Sequence, residues 1–319
     1  MSSSTDTQTI DFVSDAPATG SLDVQWNHGV RRKGDAAEPT IQVHAYDEHT
    51  FILRQSKTTS YEAPFIYLLL GNDRAILFDT GATADPQAFP LRETVDGIIA
   101  AWLDRHPREH YELVVAHTHG HGDHVAGDPQ FADRPATTIV GREPEAVQAF
   151  FGFEQWPTGT VDFDLGGRVL ELIAATGHHK SAVAIHDPWT GILLTGDTVI
   201  PGRLYAFDFD AFTDTLDRLV EFTSTRKVTH VLGCHIEMTT EPGRDYPLGA
   251  TYQPDEHALA LTTAQLAEVR DAAKGIGDRK GVYVHDDFII YSDMRMRTQL
   301  RMVRRGLAHK LGQKLRRSH

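Results

Sequence analysis

Four of the eight residues from His117 to His124 are histidine, in the run Ala-His-Thr-His-Gly-His-Gly-Asp-His that starts at Ala116. With 18 histidines among 319 residues, chance places only about 0.5 in such a window. Any fold this chain adopts must accommodate that cluster. Every buried ring nitrogen needs a partner, and four packed imidazoles are hard to satisfy without a shared cation. His119 and His121 are two apart, so in an extended segment their rings project to one side. Asp123 and His124 follow where a helix could begin. Gly120 and Gly122 leave room for a tight turn and for close approach of backbone to metal. Imidazole and carboxylate together suit Zn, Fe or Mn. The run follows ELVVAH (112–117), which reads as a short buried strand.

Similar apolar runs recur along the chain, bounded by turn signals. IQVHAY (41–46), TFILRQ (50–55), FIYLLLG (65–71) and RAILFDTG (74–81) predict strands. Asn72-Asp73 suits a tight hairpin between the last two. Residues 92–105 carry apolar residues at helical spacing, and Pro107 stops that helix. In the second half, 169–175, 182–187, 191–197 and 229–235 predict strands, and 210–224 predicts an amphipathic helix. Residues 255–273 read as helical, 282–291 as strand-like and 295–317 as a basic helix. Both halves run strands, helix, strand, which implies an α/β protein of two packed sheets with helices outside. Residues 1–38 are rich in Ser, Thr, Asp, Gly and Ala without periodicity, and read as a flexible N-terminal arm with Trp26 as its anchor.

The net charge is −13, and nine Lys or Arg with no acidic residue lie between Met294 and His319, leaving about −22 on the rest. Such a body repels polyanions, so nucleic acid is not the expected partner. The basic tail reads as a solvated helix that packs on or pairs with the acidic body. The single cysteine, Cys234, cannot form an internal disulfide. The first twenty residues lack a basic segment followed by an apolar one, and no run approaches the roughly 18 apolar residues of a membrane span. A cytoplasmic location is expected.

The run Thr118-His119-Gly120-His121-Gly122-Asp123-His124 resembles the H-x-H-x-D-H signature of the metallo-β-lactamase superfamily, and the order of later elements extends the resemblance over roughly residues 40–240. Asp79-Thr80-Gly81 is similar to the family's upstream Asp-Thr-Gly, whose aspartate would orient the ligand loop. Ala175-Thr176-Gly177-His178-His179 resembles the third metal segment, with His178 as ligand and His179 as its rival. Leu194-Thr195-Gly196-Asp197-Thr198 resembles the fourth and Gly233-Cys234-His235 the fifth. The resemblance implies that His119, His121 and His178 hold one metal, that Asp123, His124 and His235 hold a second, and that Asp197 bridges them. Two divalent ions are implied, with Zn2+ expected and Fe or Mn also compatible with the ligands. The family fold is an αβ/βα sandwich of two mixed sheets with helices on the outside. It would occupy residues 39–250, with 251–319 a C-terminal extension packed on the same domain and ending in the basic helix.

The resemblance implies a metallohydrolase in which a metal-bridging hydroxide cleaves a small-molecule ester, lactone or thioester. A small-molecule phosphodiesterase, or a non-haem iron oxidoreductase on the same fold, is the alternative. Asp197 argues against β-lactam hydrolysis, because the family's β-lactamases generally lack that carboxylate. Asp123 could bind metal and orient the nucleophile. Tyr205 could donate a hydrogen bond to a developing oxyanion, and Arg203 could clamp a substrate carboxylate or phosphate. Ser60-Tyr61-Glu62 and Tyr246-Pro247 suit pocket walls. His117 is a candidate for supporting the ligand loop, whereas His44, His49, His186, His230 and His257 read as surface or hydrogen-bonded core residues. The extension could cap the pocket or join two copies as a homodimer.

Overall fold

The computed structural model describes residues 9–13, 16–31, 37–293 and 295–317. In chain order its elements are β1 (Ile41–Asp47), β2 (Thr50–Gln55), β3 (Phe65–Leu70), β4 (Arg74–Phe78), α1 (Leu91–Arg105), β5 (Glu112–Ala116), the short α2 (Gly122–Val125), β6 (Thr137–Ile139), α3 (Pro144–Phe151), β7 (Thr160–Asp164), β8 (Val169–Ala174), β9 (Val183–Asp187), β10 (Ile192–Gly196), β11 (Arg203–Tyr205), α4 (Phe209–Ser224), β12 (His230–Gly233), β13 (Ala260–Leu261), α5 (Thr263–Ile276), β14 (Val282–Val284), β15 (Ile289–Tyr291) and α6 (Met296–Arg317).

Two six-stranded sheets result, β1-β2-β3-β4-β5-β6 and β13-β12-β10-β9-β8-β7, beside a small sheet β11-β15-β14. Both large sheets are mixed. β1 to β4 run antiparallel, whereas β5 joins β4 and β6 in parallel. In the second sheet β12 pairs with β10 in parallel and the other pairs are antiparallel. The expected hairpin at Asn72-Asp73 is present: Gly71 N donates to Arg74 O at 3.0 Å and Leu70 faces Ala75.

The two-residue period of a strand builds the layers. In β3, Phe65, Tyr67 and Leu69 face a central core shared with Leu172, Ile185 and Leu194 of the second sheet. The alternate residues Ile66, Leu68 and Leu70 face outward onto Val95, Ile99 and Trp102 of α1. On the opposite side, Ile173, Leu193 and Val231 pack on Phe212, Leu216 and Leu219 of α4 and on Leu266 and Val269 of α5. Strands covered on both faces read as continuous apolar runs, which is why FIYLLL shows no alternation in sequence. The architecture is the expected αβ/βα sandwich, helix over sheet over sheet over helix.

Several elements differ from expectation. The helix expected over 255–273 begins only at Thr263, because Thr262 accepts from Gln265 N while the Gln265 side chain accepts from Thr262 N, a capping box that fixes the start. The preceding residues include β13, which extends the second sheet. Residues 282–291 form a hairpin of two strands rather than one. Arg203–Tyr205, to which the sequence assigns no element, is a strand paired in parallel with β15. Of the N-terminal arm, several described residues contact the body. Ile10 exchanges hydrogen bonds with the Asn72 side chain, Phe12 is buried against His49 and Trp189, and Trp26 packs on Phe65. Residues 1–8, 14–15 and 32–36 of the arm lie outside the described ones.

One buried ion cluster ties the region past residue 250 to the first sheet. Arg54 in β2 is bidentate to Glu256 at 2.6 and 2.7 Å, and Lys57 Nζ lies 3.3 Å from the same carboxylate. Burial lowers the Lys57 ammonium to about 8 in spite of Glu256. Glu256→Ala would leave two buried cations without a counter-charge, and is expected to cost about 3–5 kcal/mol in chemical denaturation. A loss below about 1 kcal/mol would show that the cluster does not hold this region.

Candidate metal centre

The ligand run begins where β5 ends. Thr118 N donates to Asp79 Oδ1 and Thr118 Oγ1 donates to Asp79 Oδ2, both at 2.8 Å. Asp79 follows β4, is fully buried, and takes a left-handed backbone (φ 73°) that aspartate tolerates better than most residues. Its Oδ2 also accepts from His124 Nδ1 at 2.9 Å and from the Cys234 thiol at 3.3 Å. Asp79 thus fixes the loop after β5, the start of α2 and the residue after β12. Two glycines allow close approach here, one between the sheets and one against α4. A Cβ on Gly196 (φ 54°) would stand 2.9 Å from Thr118 Cβ. A Cβ on Gly177 (φ 125°) would meet the Phe212 backbone at 2.4 Å. Gly122, by contrast, has open space around it.

Seven of the expected residues come together as two groups. His119 Nε2 lies 2.9 Å from His121 Nδ1, and His178 Nε2 lies 3.1 Å from the same atom. Asp123, His124, Asp197 and His235 form the second group. Asp123 Oδ2 is 3.5 Å from His124 Nε2 and 3.4 Å from His235 Nε2. Asp197 Oδ2 lies between the groups, 3.5 and 3.6 Å from His124 and His235, and 4.0 and 3.8 Å from His119 and His178.

The outer ring nitrogens decide the proton count. His178 Nδ1 sits 3.0 Å from Tyr205 O, His235 Nδ1 sits 3.0 Å from Glu62 O, and His124 Nδ1 faces Asp79. Carbonyl and carboxylate oxygens only accept, so these three nitrogens carry hydrogen and the matching Nε2 atoms are the ones turned inward, where a cation would take their lone pairs. The inner atoms of His124 and His235 lie 3.3 Å apart. Asp197 Oδ1 is buried and has no hydrogen-bond partner. A convergence of lone pairs and carboxylates is stable only around positive charge. Divalent cations fit this donor set, with each group able to hold one.

Titration separates the two groups. Burial pushes His178 down to about 4, and pushes His119 well below its ordinary value with help from His124 and His178. Both rings are neutral donors of a lone pair at pH 7. In the second group burial opposes charge, yet Asp79, Asp197 and Asp123 raise His124 well above its ordinary value, and Asp197 and Asp123 raise His235 to about 9. Burial would also raise Asp123 and Asp197, but His124 and His235 outweigh it and hold both carboxyls low. The acidic pair draws positive charge to itself, which protons supply here and a metal could supply in their place.

His179, the rival ligand, is not among the seven. Its Nδ1 lies 2.9 Å from Ser181 Oγ and accepts from Ser181 N at 3.2 Å. Tyr205 reaches the site through its backbone carbonyl, while its hydroxyl accepts from Arg203 Nε at 2.9 Å. Arg203 is buried and neutralised by Glu237 and Asp245, so it offers no clamp for a substrate anion. The Tyr246 carbonyl accepts from the same guanidinium. Glu62 reaches the centre through its carbonyl. Tyr61 is 38% exposed beside it, and burial, Glu62 and Asp123 together raise its phenol. His117 bonds to Asp128, which in turn accepts from Thr80, and so braces the loop. The buried Asp79–His124–Cys234 trio could in principle take an ion. Its contacts are already hydrogen bonds, and burial and Asp79 push the thiol up, keeping it protonated. His49 accepts from Trp102, His186 pairs with Glu171, and His44 contacts Ser21 O, as structural residues do.

One feature had no sequence signal. Phe207, two residues past β11, is 56% exposed and stands over the centre, its ring centroid 5.9 Å from that of His121 and 5.7 Å from that of His178.

Comparison with known proteins supplies the lineage. A family profile described as the metallo-beta-lactamase superfamily matches residues 62–273. The hydroxyacylglutathione hydrolase of Rhizobium meliloti (strain 1021) is 26% identical over 200 residues, which cover 60% of this chain and 70% of that protein. The enzyme of the same name from Ruegeria pomeroyi is 26% identical over 202 residues, 60% of this chain and 71% of its own. Among solved structures, TMB-1 superposes with a TM-score of 0.50 at 17% identity, covering 76% of this chain and 100% of its own, a likeness of fold alone.

Asp79→Ala would release the Nδ1 proton of His124 and the backbone of Thr118 together. Binding of divalent ion at the second group is expected to weaken about 10–100-fold in chelator competition. Unchanged affinity would mean that Asp79 serves only to hold the sheets.

Proposed function

Because the chain belongs to the metallo-beta-lactamase superfamily and is a metallohydrolase, we propose that it hydrolyses a small-molecule thioester, with an ester or lactone as the related possibility in the same acyl class. The observation that carries this reading is the placement of Asp197 between two complete ligand groups, in a chain related to hydroxyacylglutathione hydrolases. In this reading His119, His121 and His178 would hold one divalent ion, Asp123, His124 and His235 would hold a second, and Asp197 would contribute to both. Zinc is the ion proposed. Such ions would lower the pKa of water toward about 7 and polarise the acyl oxygen.

The chain's own residues supply the rest. Thioester hydrolysis adds water to the acyl carbon, breaks the carbon–sulfur bond and releases a carboxylic acid and a thiol. Asp123, whose side chain is 25% exposed, is placed to accept a hydrogen bond from the attacking water and to orient it. His119 and His178, neutral and buried, keep fixed tautomers through Thr118 and the Tyr205 carbonyl, so they need no reorganisation during the reaction. Tyr205 is a positioning residue in this scheme, acting through His178.

The test joins elemental analysis with a panel of thioesters, aryl esters, lactones and phosphodiesters. About two equivalents of zinc are expected per chain. The thioester is expected to turn over fastest. His119→Ala and Asp197→Ala are each expected to lower kcat/KM by about 100-fold or more, roughly 2.7 kcal/mol of transition-state stabilisation. One iron per chain with no hydrolysis would overturn the proposal. Phosphodiester cleavage alone would keep the metal centre and reject the acyl substrate.

A further inference from the structure

An open groove of about 450 Å³ adjoins the histidine cluster, a size within the usual range for small-ligand sites. Its floor is shared with the centre, since His178 and His179 line it. Its apolar walls are Trp156, Pro157, Phe207 and Ala211. Trp156 is anchored against Phe153 of the core at a ring-centroid distance of 5.2 Å, so one wall is fixed. Phe207 forms a further wall, exposed yet seated over His121 and His178. Neither charge at the rim is free. Lys180 Nζ pairs with Glu143 at 2.6 Å, and Asp208 caps α4 by accepting from Ala211 N at 3.1 Å.

We infer that this groove is the acyl subsite, and that it takes a bulky apolar acyl group, aromatic or medium-chain, whose carbonyl lies at the histidine cluster. The inference rests on the acyl-hydrolase reading above and deepens it. Contiguity limits the occupant to a group bonded to the reacting carbonyl carbon, the acyl chain or the thiol, because such a group must leave the centre along a wall that touches it, as Phe207 and His178 do; the apolar lining assigns the groove to the acyl chain. Charge excludes a strongly anionic acyl tail, because the only cation among the lining residues is already paired at the surface. Covering an aromatic side chain that is 56% exposed removes apolar area from water, which favours an apolar occupant.

The experiment compares phenylacetyl and acetyl thioesters of one thiol, with zinc-loaded wild type, Phe207→Ala and Phe207→Trp. Wild type is expected to prefer phenylacetyl, Phe207→Ala to reduce the ratio of the two kcat/KM values at least about five-fold, and Phe207→Trp to restore it. A ratio unmoved by Phe207→Ala, or a change that follows the thiol rather than the acyl group, would overturn the inference while leaving thioester hydrolysis standing. Calorimetric titration with phenylacetate, the acid product, reads the groove without turnover. Binding at least about five-fold weaker in Phe207→Ala is expected. Equal binding, or none in wild type, overturns the subsite. If no thioester is cleaved but phenylacetate still binds through Phe207, the thioester reading falls and the apolar subsite remains.

Discussion

A carboxylate sealed between two sheets organises everything around it. Asp79 leaves the end of β4 and receives hydrogen from Thr118, His124 and Cys234. The first two lie on the loop and short helix after β5, and the third follows β12 on the opposite sheet. A fully buried acidic side chain is expensive unless every lone pair is used, and here the donors that satisfy it are the segments that carry ligands. The cost of burying Asp79 is thereby offset by contacts that also fix the centre. The same junction needs Gly196 against Thr118, so the sheets approach closely where the side chains converge.

From that junction the ligands divide by origin. His119, His121, Asp123 and His124 belong to the first sheet's β5–α2 connection, whereas His178, Asp197 and His235 follow β8, β10 and β12 of the second. Neither sheet holds a complete group. The outer partners of the rings have the same mixed origin, with Glu62 from the first sheet holding His235 of the second. Relative position of the sheets is therefore the variable that governs the centre. The central core from Tyr67 to Leu194, together with the Tyr67 hydroxyl donating to Gly233 O at 2.6 Å, sets it. Preorganisation of this kind lets a site act on charge without moving when charge appears.

Much of this was legible in the sequence, for reasons that differ by element. The ligand run was readable because histidine density and spacing are local. The strands of the two large sheets were readable where apolar runs end in turn residues, as in β3 and β4. The start of α5 carried a readable signal in Thr262 and Gln265, but the apolar residues before it drew the expected helix too far forward. β11 was not readable: its partner β15 lies more than eighty residues on, and three residues carry no periodicity of their own. Side-chain roles proved least local. Arg203 looked free and is neutralised by residues from the segment after β12. Tyr205 contributes a carbonyl, an atom that every residue has, so its identity gave no hint. Phe207 had no signal because exposure over a cluster is a property of the fold.

Arg203 has a further consequence through the chain's last helix. Arg305 of α6 bonds to both the side chain and the carbonyl of Asp245, Asp245 pairs with Arg203, and Arg203 lies two residues before the carbonyl that holds His178. The path from the tail to the histidine is a short relay of full charges and backbone. Alignment of one ring of the centre is in that sense set from behind, by a segment that contributes no ligand. The basic tail is then a strut of the active face rather than an appendage, and trimming it would be a way of detuning the centre without touching it.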